Sequence, residues 1–370
     1  ASEWTAPDGN TYPLITFKTF KHGSYQETWN GYKAWQDLAE NTTIPKAYQP
    51  KKPNPAHKDK ADKERAAKIK RFSAFKAVFN ELPKVTDTGD IGGYLSGKGF
   101  SVADIPNSLD LRRGSHQRGL FVAYPLHNSQ GQTVGYQLLY DTPFTDYSGK
   151  PRNKDFIFYP DTKNGSHAWL GTPSQHCEFI GEGEGLATCL TAWLATGNPI
   201  AVCLDADNIG KVHAELSKTY TNLLPLADND VKADGGNVGV FSAIKAARGG
   251  VVAYPILDGQ KVDFDDLRLI KGLEEVARQI AENRLVVPNN LLDYYKLLAT
   301  YAPIEQLPKI LATACFFATK KIITVNDLRI HAKALFALRP RHTSIKAIVK
   351  QLKKYLKKQI NLISRENSIT

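Results

Sequence analysis

Between residues 178 and 254, short apolar runs alternate with segments long enough to be helices, and no other feature restricts the fold of this chain as tightly. The runs 178–181, 200–204, 223–227 and 251–254 have the length of strands, and 186–195, 209–220 and 238–247 fit between them as helices. Parallel neighbours cannot be joined by a tight turn and need a crossover, so this repetition predicts an α/β fold with helices flanking a parallel sheet. Sheets of this kind bind ligands beyond the carboxyl ends of their strands.

Those ends are acidic. Glu184 follows the first run in Gly181-Glu182-Gly183-Glu184-Gly185, just before a helix; Asp228 and Asp230 follow the third in Ala227-Asp228-Asn229-Asp230; Asp263, Asp265 and Asp266 follow the fourth. In an extended segment a spacing of two puts Asp228 and Asp230 on one side. If the strands are parallel neighbours, the three groups converge on one edge of the sheet and repel each other unless a cation neutralises them. Oxygen donors without His or Cys select Mg2+ or Mn2+, the ions of phosphoryl transfer. A cap or turn role accounts for any one of these acids but not for three groups at strand ends. A dinucleotide turn built on Gly181, Gly183 and Gly185 is the rival. It lacks the GxGxxG spacing, and Glu182 and Glu184 would repel a pyrophosphate at the helix N-terminus.

The rest of the chain narrows the partners. A formal charge of +11 favours a polyanion. Cys177, Cys189, Cys203 and Cys315 form no CxxC pair and the nine histidines no HExxH, so neither a zinc site nor a disulfide framework is expected. No apolar stretch is long enough for a bilayer, and the first residues lack a signal-peptide pattern, which places the protein in the cytoplasm with no membrane partner. Residues 1–48 interleave aromatic and basic side chains, including Phe17, Lys18, Trp29 and Lys33, which suits base stacking and phosphate contact as well as the core of a small β-rich module. A basic linker and charged helix occupy 49–83. From 84 to 175 an α+β region is expected, with a hairpin formed by the runs 120–126 and 133–139. Within it, residues 92–99 nearly spell a phosphate-binding loop, but Gly99 stands where a hydroxyl is required and no strand precedes it. The parallel-sheet region spans 176–271, and 272–370 reads as helices only. The last helix gathers Ile345, Ile348, Val349, Leu352 and Leu356 on one face, to close a bundle or meet a partner.

The pattern of Glu184-Gly185 after the first strand and Asp228-x-Asp230 after the third resembles the Toprim domain of DnaG-type primases, topoisomerases and some nucleases. The longer series Glu184 to Thr188, Ala192 to Gly197, Ala227 to Asp230 and Gly236 to Gly239, with Asp263-Phe264-Asp265-Asp266-Leu267, is similar to primases of conjugative plasmids and phages. Tyr94-Leu95 with Lys98-Gly99, and the segments 118–126 and 131–139, resemble the α+β subdomain that precedes the Toprim domain in those enzymes. The resemblance covers residues 84 to 275 and implies the following roles. Glu184 is the general acid/base or a metal ligand. Asp228 and Asp230 are metal ligands, and Asp263 and Asp265 complete a second metal site. Arg118, Lys154 and Lys163 contact nucleotide or template phosphates. Two departures stand out: Thr188 replaces an Asp found four residues after the Glu in DnaG-type enzymes, and no cysteine-rich zinc-binding module of the kind that selects template sequence in many primases is expected in this sequence.

The function so implied is a DNA primase that makes short RNA primers from nucleoside triphosphates on single-stranded DNA with Mg2+ or Mn2+. A replicative helicase is the partner expected for the C-terminal helices. A Toprim nuclease and a non-catalytic DNA-binding replication protein are the alternatives.

Overall fold

The computed structural model describes residues 55–303 except Tyr147, Ala233 and Asp234, the backbone of three N-terminal strands, and Gln306, Ile310 and Thr313; side chains are described from residue 62 on, that of Leu292 excepted. The chain divides into two compact units: Ala1–Lys52 with Lys232–Asn237 and Pro288–Thr370, and Pro53–Val231 with Val238–Val287. In the first, β1 (Ser2–Thr5), β2 (Thr11–Thr19) and β3 (Tyr25–Asn30) form an antiparallel sheet in chain order. The side chains of the aromatic and basic residues there, the linker at 50–54, Cys315 and the amphipathic segment from Ile345 on lie outside the described residues.

The second unit opens with α1 (Pro55–Glu81), two short helices α2 (Val85–Thr88) and α3 (Gly92–Ser96), and an antiparallel sheet of β4 (Arg112–His116), β5 (Gly119–His127), β6 (Thr133–Thr145) and β7 (Pro151–Phe158) in chain order. Successive side chains of a strand point to opposite faces. Phe121, Ala123, Tyr136, Leu138 and Tyr140 therefore pack against Phe72 and Phe79 of α1. Val122, Tyr124, Leu126 and Leu139 join the main core on the other face. With both faces covered, β5 reads in the sequence as one continuous apolar run.

The remainder is a six-stranded sheet with its helices: β8 (Ala168–Leu170), β9 (Ile180–Gly183), α4 (Leu186–Thr196), β10 (Ile200–Val202), α5 (Ala206–Leu216), β11 (Leu223–Leu226), α6 (Val238–Ala246), β12 (Val251–Ala253), α7 (Phe264–Lys271), α8 (Leu273–Glu282) and β13 (Arg284–Val286). Its order is β13-β12-β11-β9-β10-β8, the four inner strands parallel and the two edges antiparallel. α9 (Leu291–Tyr301) belongs to the first unit.

This mixed α/β fold departs from the sequence expectation in three places. α5 begins three residues ahead of the expected 209 because the Asp205 side chain caps it, accepting from the Asn208 N–H at 3.0 Å; apolar periodicity carries no record of a cap. The region after 272 is not helices alone, since β13 pairs with β12 and closes that edge; three residues are too few to show a period. Residues 84–175, expected as a subdomain preceding the parallel-sheet domain, lie with it in one unit and share one core running from Leu95 through Tyr124 to Leu186 and Phe264. Among the described residues no helix is long and apolar enough to cross a membrane.

The shared core sets a stability contrast on one helix. Phe264 of α7 is 0% exposed and Leu269 on the same helix is 58% exposed. Phe264→Ala should lower the unfolding free energy by about 3–5 kcal/mol, and Leu269→Ala should change it by about 0.5 kcal/mol or less, both read from urea denaturation.

Candidate active site

Strand register levels the ends that matter. Gly183, the last residue of β9, lies beside Val202 of β10 and Leu226 of β11, and Leu226 lies beside Ala253 of β12. β9, β11 and β12 thus end together as neighbours, with Glu184 one residue and Asp228 two residues past their strands. The Asn229 N–H donates to the Val262 carbonyl at 3.0 Å and the Val262 N–H returns the bond at 3.2 Å, which lays the Asp228–Asp230 segment alongside the approach to Asp263. Asp263 is the N-cap of α7, its carboxylate accepting from the Asp266 N–H at 2.8 Å. α6 starts against the Asp228 backbone, and a Cβ at Gly239 would collide with the Asp228 carbonyl oxygen. Only glycine allows that approach.

The crowding shows in proton affinity. Burial raises Asp228 well above the usual carboxylate range, and the charges of Glu184, Asp263 and Asp230 push the same way. Glu184 is pushed up to about 7 by burial first, then by Asp230 and Asp205, against the pull of the Lys154 ammonium and the Ala206 N–H. Burial also raises Asp263. Glu184 Oε1 and Asp228 Oδ1 are buried with no hydrogen-bond partner. An unpaired buried carboxylate oxygen is costly, and a cation relieves it. The all-oxygen donor set and these two orphaned atoms fit a hard divalent ion. Among the described residues no three His, Cys, Asp or Glu side chains are already gathered at ligand spacing.

The other candidates divide. Lys154 of β7 is brought to the cluster: its Nζ lies 3.7 Å from the point a Cβ on Gly185 would occupy and 5.5 Å from the centre of the Tyr94 ring. Lys163 pairs with Asp205 at 2.7 Å. Arg118 is engaged elsewhere, with Asp155 at 2.7 Å and above the Phe144 ring. Asp230 pairs with Lys261 at 2.6 Å. Asp265, 0% exposed, accepts from Lys98 at 2.7 Å on one oxygen and from Arg268 at 2.7 Å and Thr191 at 3.1 Å on the other. In an extended segment a spacing of two keeps one side, but α7 has begun at Phe264 and each residue turns the helix by about 100°, so Asp263 caps at the cluster while Asp265 turns into the core.

Asp205 is the residue the sequence reading passed over. It stands at the end of β10, as the other acids stand at their strand ends, and Leu204 before it holds the left-handed region at φ 77°, a conformation that costs free energy and tends to occur at sites. The acid after the second strand in Leu204-Asp205-Ala206-Asp207 was the available signal. Arg268 stands three residues after Asp265 on α7, a neighbour spacing of any helix, whereas Lys98, noted in the sequence only within the Tyr94–Gly99 resemblance, is brought to Asp265 by the fold.

No protein-family model matches this chain, and no curated protein matches it in sequence. Solved structures do resemble it. A DnaG primase catalytic domain bound to single-stranded DNA is 14% identical with a TM-score of 0.39, the match covering 79% of this chain and 98% of that one. The primase fragment of the bacteriophage T7 primase-helicase protein is 16% identical with a TM-score of 0.37, covering 50% and 72%. The Aquifex aeolicus primase fragment, with zinc-binding and RNA polymerase domains, is 17% identical with a TM-score of 0.35. That match covers 61% of this chain and 53% of the Aquifex fragment, so the chain spans about half of its length.

Two measurements follow from the charges. A carboxyl whose pKa is higher folded than unfolded binds more protons folded, so stability falls as pH rises through that interval. For Glu184 the interval runs from its ordinary 4.5 to about 7. Denaturation in EDTA at a series of pH values should show stability falling across it by up to a few kcal/mol, Glu184→Gln should flatten the slope, and Mg2+ should restore stability at the upper end. Asp265→Ala, which leaves Lys98 and Arg268 without their buried partner, should cost about 3–5 kcal/mol. Asp230→Ala, which frees an exposed Lys261, should cost about 1 kcal/mol or less.

Proposed function

We propose that this chain is a DNA primase that joins ribonucleotides from nucleoside triphosphates into short primers on single-stranded DNA, using the carboxylate cluster as its reaction centre. The observation that carries this reading is the meeting of Glu184, Asp228, Asp230 and Asp263 beyond three adjacent strand ends, with two orphaned oxygens and Lys154 beside them. Its support from the sequence is the co-linear Toprim-like series that supplies those same acids, of the kind found in plasmid and phage primases.

Glu184 and Asp228, assisted by Asp230 and Asp263, would hold Mg2+ or Mn2+. The chemistry such an ion supplies is neutralisation of triphosphate charge and support of the departing pyrophosphate. The residues themselves do the rest. Where the other acids carry the ion, Glu184 accepts the proton of the primer 3′-hydroxyl; the oxygen then bonds to the α-phosphorus as the bond to pyrophosphate breaks. Lys154 offers its ammonium to the triphosphate. Lys163 and Arg118, further along the same subdomain, hold template or primer phosphates once these displace Asp205 and Asp155.

Incorporation of labelled ribonucleotides on unprimed single-stranded DNA with Mg2+ or Mn2+ tests this. Short products are expected from the wild type, a loss of about 100-fold or more for Asp228→Ala, and for Lys154→Ala a rise of about 10-fold in the KM for nucleotide. Cleavage of the template without nucleotides would assign the site to a nuclease. DNA binding without product from the wild type would assign the chain to a non-catalytic role.

A further inference from the structure

The acids of the cluster are set in place by strand ends, but Lys163, the side chain given above to a template or primer phosphate, stands on no strand. It belongs to the turn 163–166 that leads into β8. A lysine on a surface turn sweeps a wide arc unless something holds the turn. Here one buried side chain does so from behind, that of Asn208 on α5.

Asn208 is 1% exposed and lies three residues after Asp205, the N-cap of α5. Its amide joins two separate segments. Oδ1 accepts from the Gly165 N–H at 2.9 Å, and Nδ2 donates to the Ser166 carbonyl and to the Cys203 carbonyl, each at 2.9 Å. A carboxamide offers an acceptor and two donors on one short arm, which is what bridging an N–H and two carbonyls requires. The turn 163–166 and the end of β10 are thus tied at one point.

Each tied segment is then stiffened on its own side. The Ser166 N–H and hydroxyl both bond to the Lys163 carbonyl, at 3.2 and 2.7 Å, and Lys211 of α5 donates to Asn164 Oδ1 at 2.8 Å. Beyond β10, the Asp205 N–H bonds back to the Cys203 carbonyl at 3.0 Å around Leu204 at φ 77°. That is the strained form of a γ-turn, and strain persists only where the surroundings impose it. Asn208 Nδ2 binds the same Cys203 carbonyl. The Cys203 N–H donates to the Gly183 carbonyl at 2.7 Å, so this end stands beside the strand that delivers Glu184.

The outcome is that Lys163 Nζ meets Asp205 at 2.7 Å with both side chains open to solvent. An exposed ion pair contributes little by itself, so it does not explain why the turn is held there. Every backbone group that the Asn208 amide binds lies in the segment bearing Lys163 or in the one leading to Asp205. We propose that Asn208 is a positioning residue, which fixes Lys163 beside the end of β10 so that its ammonium is already in place when a strand phosphate displaces Asp205. Asn208 itself touches no substrate, and the inference rests on the reading of Lys163 as a phosphate ligand of a primase.

The test is binding of a labelled oligothymidylate to the full chain in EDTA, followed by fluorescence anisotropy from about 50 to 200 mM salt, with the folding of each variant checked in urea. One phosphate contact on a single strand adds about 0.7 to the slope of log K against log salt concentration. Lys163→Ala should weaken binding by about 5-fold and lower the slope by about 0.7. Asn208→Ala should do the same with the lysine still present, and the double variant should do no more than either single one. Val212→Ala, buried on the same helix among Ala201, Ile209 and Leu216, should lower stability yet keep the wild-type affinity and slope. Ser166→Ala removes one hydroxyl bond from the same turn and should weaken binding by about 2-fold; if Asn208→Ala does not fold, wild-type binding by Ser166→Ala overturns the proposal. A wild-type slope in folded Asn208→Ala also overturns it, as do effects that add in the double variant, because Asn208 would then act through something other than Lys163. A wild-type slope in Lys163→Ala would show that the lysine meets no phosphate and would overturn this inference alone, primer synthesis being judged by its own assay. Absence of binding by the wild type would overturn the primase reading together with it.

Discussion

Like charges forced together at the end of a sheet are the condition around which this unit is organised. Three of the surrounding acids have basic partners: Asp230 has Lys261, Asp205 has Lys163, and Asp265 has Lys98 and Arg268. The two innermost, Glu184 and Asp228, each retain an oxygen with no partner. The repulsion is thus relieved at the rim and left standing at the centre, where desolvation makes it largest. Folding has to hold that centre together, and it does so with level strands, the Asn229–Val262 bridge and a helix that begins against the backbone of Asp228.

How far this can be read from the residues depends on whether the signal is local. The four inner strands and their helices are legible because each carries its own apolar run and the crossover rule turns the alternation into a parallel sheet. The acids at strand ends are legible for the same reason. Strand order is not: that β9 sits between β10 and β11 follows from side-chain packing between elements, and the convergence of Glu184, Asp228 and Asp263 rests on it. Asp265 shows how a local rule fails when its geometry changes, since the period of two that holds for Asp228 and Asp230 no longer applies one residue into α7. Lys98 and Arg268, which bind that carboxylate, are 170 residues apart in the chain.

The two-faced antiparallel sheet also bears on how the chain is made. Synthesis proceeds from the N-terminus, and α1 is available to cover Phe121, Ala123 and Tyr136 as soon as β6 has emerged. The opposite face, with Val122, Tyr124 and Leu126, packs on residues such as Leu170, Leu186 and Phe264 that the ribosome delivers later. While those are being added, the nascent sheet carries a naked apolar surface of the sort chaperones bind. The parallel sheet is in this sense the lid of the antiparallel one, and the carboxylate cluster takes shape only as that lid closes.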